Sequence, residues 1–172
     1  SLNAITAYNQ KSAEHIREDE AKTDHYEDII GSYLVKLSAR KIGESDSALA
    51  AEYLRIIGDF ERIADHSVNI LESAEEMQQK GIAFSAAALQ EYATMAGAVR
   101  EVTALAYDSF VSGDVQAARQ VEPLEQVIDD LKEEMRTRHI RRMQQGSCGI
   151  EAGFIWSDLL TNLERVSDHC SN

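Results

Sequence analysis

The stretch Glu61 to Asn69, ERIADHSVN, returns at Glu164 to Asn172 as ERVSDHCSN, with Glu, Arg, Asp, His and Asn kept in place. Each copy sets a Glu and an Asp four residues apart, which on a helix puts both carboxylates on one face about one turn apart. The same spacing occurs at Glu20/Asp24 and Glu125/Asp129. Grouped carboxylates with a little histidine are donors for hard or borderline cations such as iron, manganese, zinc or magnesium. Left bare they repel, by roughly 0.2–0.5 kcal/mol per like-charged i,i+4 pair. Bound cations, protonation or arginines must compensate.

A shift of 103 carries Gly43, Glu61, Asp65, His66 and Asn69 onto Gly146, Glu164, Asp168, His169 and Asn172. A shift of 105 carries Glu20 and Asp24 onto Glu125 and Asp129, so the repeat extends to the preceding helix. The pairs centred on positions 22 and 63 are equidistant from the Gly43 loop, and those centred on 127 and 166 from the Gly146 loop. In antiparallel hairpins these levels match, on the order of 30 Å from each turn at 1.5 Å per residue. Two sets of four carboxylates are expected: Glu20, Asp24, Glu61 and Asp65, then Glu125, Asp129, Glu164 and Asp168. His66 and His169 lie about 100° round the helix from the Asp, as ligands, supporting groups, or packing and capping residues. Asn69 and Asn172 share the Asp stripe and can bond a carboxylate or meet a metal. Arg62 and Arg165 follow the Glu directly and are expected to point away, toward neighbouring helices.

The elements that must position these groups are helices. One proline, nine glycines and no period-two alternation leave an all-α chain. The first helix is expected from about Leu2 to Lys41, ending at Gly43. The next runs from the GESDS caps to Lys80 and stops at Gly81. Ser85 caps a third, whose Leu89, Tyr92, Met95, Val99, Val102 and Leu105 mark one buried face. Gly113 ends it and Asp114 caps a short segment. Pro123 opens a fourth long helix to about Gln145, and GSCG leads to the last. The expectation is an antiparallel bundle of duplicated three-helix units, residues 1–112 and then 114–172, with the second unit truncated.

Of 172 residues, 44% are hydrophobic and 27% charged, the profile of a soluble globular chain. No apolar run reaches the roughly 18–20 residues that span a bilayer, and the start has no signal-peptide pattern. A net charge of −13 excludes phosphate-backbone binding and favours cationic partners. The basic run Arg136 to Arg142 reads as a solvated face balancing nearby acid, or as a dock for a membrane or an acidic partner. Cys148 and Cys170 support neither a disulfide framework nor a zinc knuckle, as in a reducing cytoplasm.

The blocks DFERIADHSVNILESAEE and SDLLTNLERVSDHCSN resemble the signature helices of the PhoU family of phosphate-transport regulators. YLVKLS and the run from His139 to Asn172 are similar to the soluble tail of bacterial sodium/phosphate cotransporter-like proteins. The resemblance implies a pair of metal clusters, iron or zinc first and manganese or magnesium after them, held by the eight carboxylates, and a role in controlling phosphate uptake. It also implies a partner in the membrane domain of a phosphate transporter, within one longer chain, at the inner face of the cell membrane. A homodimer is compatible with it. Two rivals stand beside this non-enzymatic reading. One is a di-metal oxidase or hydrolase, although the Glu-x-x-His of ferritin-like sites is missing; the other is a metal-free helical scaffold.

Overall fold

Asn9 starts the first helix of the computed structural model, which describes residues 1–40 and 43–172. Its Oδ1 accepts a hydrogen bond from Ser12 N at 3.0 Å, and α1 runs Gln10–Ser38. The start expected near Leu2 is thereby moved by about two turns, because an extended Asn satisfies an orphan amide better than another helical turn does. The residues before it form turns and lie on the third helix. There Tyr92 Oη donates to Leu2 O at 2.6 Å, and Ile5 is buried. The end expected at Lys41 falls outside the described residues.

α2 spans Glu44–Lys80 and stops at Gly81, whose φ of 63° lets Ile82 N bond Met77 O at 2.9 Å. α3, Ala86–Ser112, is capped by Ser85 Oγ, which accepts from Ala88 N at 3.2 Å. Asp114 caps the single turn α4, Val115–Ala118. α5 runs Val121–Gln144 with Pro123 in its first turn, and α6 runs Ile150–Ser171. Among the described residues there is no strand, and no helix is long and apolar enough to cross a membrane.

α1 packs along α2, α2 along α6, and α6 along α5. α3 lies on α5 and α6, and α2 reaches it through side chains such as Phe60, edge-on to Phe110 at 5.8 Å. The apolar stripe of α3 explains this placement: Tyr92, Met95, Val99 and Val102 share one buried core with Ile128, Met135, Trp156, Leu159 and Leu163. Packing therefore groups α3 with the second hairpin. The division expected at Gly113, with α3 closing the first unit, differs from this arrangement of one three-helix unit and one two-helix hairpin docked on it.

Candidate metal centre

In the second unit α5 presents Glu125 and Asp129, and α6 presents Glu164 and Asp168. One oxygen each of Glu125, Asp129 and Asp168 lies within 4.8 Å of the other two. Glu164 adjoins them and is held by Lys132 Nζ at 2.7 Å. Burial raises the Glu125 carboxyl above its ordinary value, and the charges of Asp129 and Asp168 raise it further. Asp168 is raised for the same reason, by burial and then by Glu164, against the opposing charge of Arg165. Asp129 Oδ1 and Glu164 Oε2 are buried with no hydrogen-bond partner. Buried acceptors without donors are costly, and a cation bridging α5 and α6 would satisfy both. The donor set fits a metal, and being all oxygen it suits a hard ion.

In the first unit Glu61 is raised by burial first, then by Asp65, with Glu27 adding to the effect and Arg62 opposing it. Glu27 was not among the expected ligands. The shift of 105 that relates Glu20 to Glu125 also relates Glu27 to Lys132. Where the second unit sets a cation against Glu164, the first sets a carboxylate near Glu61. Glu20 is half-buried and Asp24 exposed. Among the described residues, only the second unit brings three ligand atoms together.

The arginines of the repeated motif also differ from expectation. Arg165 Nη1 lies 3.2 Å from Asp168 Oδ2 and Arg62 Nε lies 3.6 Å from Glu61 Oε2, so each screens its own motif instead of reaching a neighbouring helix. The exposed guanidiniums fold back along the helix because acids are the nearest partners.

The histidines and asparagines sit at the crossing of α2 and α6. His66 Nδ1 donates to Asn162 Oδ1 at 2.9 Å, and Asn69 Nδ2 donates to the same oxygen at 3.2 Å. Reciprocally, His169 Nδ1 and Asn172 Nδ2 donate to Asp59 Oδ1 at 2.9 and 3.0 Å. Asp59 and Asn162 are themselves related by the shift of 103. The four donors thus clasp one repeat to the other, and their hydrogen bonds do not go to the carboxylates of their own motif. Inspection of the aligned repeats beyond the nonapeptide would have found Asp59, Asn162 and Lys132.

The basic run is partly internal. Arg142 makes two 2.9 Å bonds to the buried carboxylate of Glu91 and lies 5.6 Å from the centroid of the Trp156 ring. Burial, then the charge of Arg142, lowers the neighbouring His139.

Together, the fold and site define an all-helical bundle of duplicated hairpins, the second of which is crossed by a group of converging carboxylates. The family model described as the PhoU domain matches residues 1–74 and 92–172, and the chain belongs to the PhoU domain family. The gap between these segments falls where packing divides α2 from α3. Over 119 residues the chain is 31% identical to the phosphate-specific transport system accessory protein PhoU homolog 1 of Thermotoga maritima, covering 69% of this chain and 50% of that protein. A phosphate-specific transport system accessory protein PhoU homolog of Deinococcus radiodurans is 25% identical over 130 residues, 74% of this chain and 58% of that one. The chain therefore spans about half the length of the curated relatives it matches. The crystal structure of PhoU from Pseudomonas aeruginosa superposes with a TM-score of 0.90 at 22% identity, covering 99% of this chain and 81% of that one. This last likeness is one of fold.

Proposed function

We propose that this chain is a non-catalytic, metal-binding regulatory domain of inorganic phosphate transport, acting on a transporter at the cytoplasmic face of the membrane. The observation that carries the metal reading is the pair of orphaned oxygens, Asp129 Oδ1 and Glu164 Oε2, beside the convergent oxygens of Glu125, Asp129 and Asp168. The family and the phosphate-specific transport role named for its relatives support the transport context. Glu125, Asp129, Glu164 and Asp168 hold one ion or cluster, and Glu20, Asp24, Glu61 and Asp65, joined by Glu27, hold a second. Iron or zinc is the first expectation from the family resemblance, and an all-carboxylate set also suits manganese or magnesium.

Glu125 and Asp129 of α5 with Glu164 and Asp168 of α6 would hold such an ion between the two helices, which would neutralise the stripe and fix the hairpin geometry that a transporter partner feels. The ion would supply a cationic point for phosphate on an otherwise anionic surface. The protein is purified without chelator or metal-affinity tag, and its metal content is measured beside Glu61→Gln/Asp65→Asn and Glu164→Gln/Asp168→Asn. Metal that falls stepwise as each motif is lost supports the reading. A protein that carries none and cannot be loaded overturns it.

A further inference from the structure

Lys132 stands on the carboxylate stripe of α5. It follows Asp129 by three residues and Glu125 by seven, so one face of the helix carries all three. Its Nζ crosses to α6 and meets Glu164 Oε1 at 2.7 Å, with the lysine side chain 22% exposed and the glutamate 15%. The ammonium thus ties α5 to α6 at the level of the converging carboxylates. It satisfies only part of that level, since Asp129 Oδ1 and Glu164 Oε2 stay without a partner. A lysine ammonium is a compact point charge on a flexible four-carbon stem. The same side chain borders an open cavity of about 490 Å³ along α5 and α6, whose wall includes Ser157 and Thr161, so Nζ has room to leave Glu164. The first hairpin has no such tether. Among the described residues Glu61 pairs with Arg62 of its own helix, which is 64% exposed and 3.6 Å away, and Glu27 of α1 brings negative charge instead.

We propose, on the metal reading given above, that Lys132 is a tethered stand-in for the ion of the second carboxylate set. It holds Glu164 in the metal-free chain and releases it on loading, and so sets the metal concentration at which that set fills. The direction follows from charge. Loading of Glu125, Asp129, Glu164 and Asp168 breaks the Lys132–Glu164 pair and leaves an ammonium beside a dication. Both effects oppose loading, and in a half-buried site they are larger than those of an exposed pair. Arg165 has its counterpart in Arg62, so the lysine is what distinguishes the second set. Loading also moves one positive charge from the α6 carboxylate toward the cavity, a change of surface that a partner on this hairpin can read.

The test is calorimetric titration of the chelator-treated full chain with manganese and, anaerobically, with ferrous iron. Lys132→Met and Lys132→Arg are compared in the Glu61→Gln/Asp65→Asn background, which leaves the second set to be read alone. Lys132→Met keeps the stem and removes the charge. It should tighten binding about tenfold, the scale of relieving one close like charge in a half-buried site. Lys132→Arg keeps the charge and should stay close to the parent. The second readout is the rate at which an amine-reactive ester acetylates Lys132 in the otherwise wild-type chain, followed by mass spectrometry. Metal should raise that rate, and Glu164→Gln should raise it without metal. Circular dichroism checks that the variants stay folded. Equal affinity in the parent and Lys132→Met, or a Lys132 reactivity that loading leaves unchanged, makes the pair an ordinary interhelical ion pair. Either result overturns this inference and leaves the metal reading standing. A chain that takes up neither ion overturns the metal reading and this inference with it.

Discussion

His66 and His169 stack across the crossing of α2 and α6, with ring centroids 5.8 Å apart and planes inclined by 25°. Each ring donates to an oxygen at the related position of the other repeat, Asn162 or Asp59. The crossing therefore sits on a local pseudo-twofold, and the residues most visible as a repeat in the sequence hold the two repeats together. This clasp fixes where the two carboxylate levels lie relative to one another.

Removing a clasp donor leaves a part-buried acceptor short of a partner. His66→Ala and His169→Ala should each destabilise the chain by about 1–2 kcal/mol, measured by urea denaturation. The two losses should not add, because the rings touch. Asp59→Asn should cost less than His169→Ala, since Asn162 fills the related position on the other side.

The carboxyls of Glu125 and Asp168 are raised by burial and by their acidic neighbours. A carboxyl whose folded pKa exceeds its unfolded value binds more protons when folded, so metal-free stability falls as pH rises through the folded pKa. Below the unfolded values, 4.5 for Glu and 3.8 for Asp, the repulsion is gone. Metal-free melting temperature should therefore decline as pH rises above these unfolded values, more steeply in the wild type than in Glu125→Gln/Asp168→Asn. The variant should be as stable as the wild type or more so at pH 7, by a few tenths of a kcal/mol per relieved pair. Equal slopes would contradict the electrostatic account.

Lys132 and Glu27 occupy related positions with opposite charge. Glu27→Lys should supply Glu61 with the partner that Lys132 gives Glu164. It should stabilise the metal-free chain by about 0.5 kcal/mol, the scale of a half-exposed ion pair. Lys132→Ala should act in the opposite sense. Thermal melts in chelator read both.

Glu91 is 9% exposed and held by two bonds from Arg142. Arg142→Ala leaves that carboxylate only the looser contact with Arg138 at 3.7 Å and should cost about 1.5–3 kcal/mol, the scale of a hydrogen bond to a charged group, with or without metal. Arg136→Ala, on the exposed side of the same run, should be close to neutral.

The all-α architecture, the loops at Gly81, Gly113 and Gly146 and the buried stripe of α3 were legible because each rests on local chemistry: positive-φ glycines, caps and three-and-four spacing. The carboxylate level in the second hairpin was legible because equal distance from a turn is a geometric constraint on any antiparallel pair. Which hairpin α3 joins was not, since the stripe of α3 fits either apolar face and only packing chooses. The roles of His66 and Asn69 were hidden for the same reason, as their partners are on the other repeat. Leu2 to Tyr8 read as helix because nothing in that run competes locally; the Asn9 cap and the docking of Leu2 and Ile5 on α3 decided otherwise.

The central claim is that the related carboxylate sets hold metal. Its most direct test is calorimetric titration of chelator-treated protein with manganese or ferrous iron, the latter under anaerobic conditions. The wild type is compared with Asp129→Asn/Asp168→Asn, with Glu61→Gln/Asp65→Asn and with all four changes combined. The account predicts saturable binding with proton release from the raised carboxyls, reduced by each double variant and abolished by the combination. Binding that persists in the fourfold variant, or a wild type that takes up no metal, would contradict it.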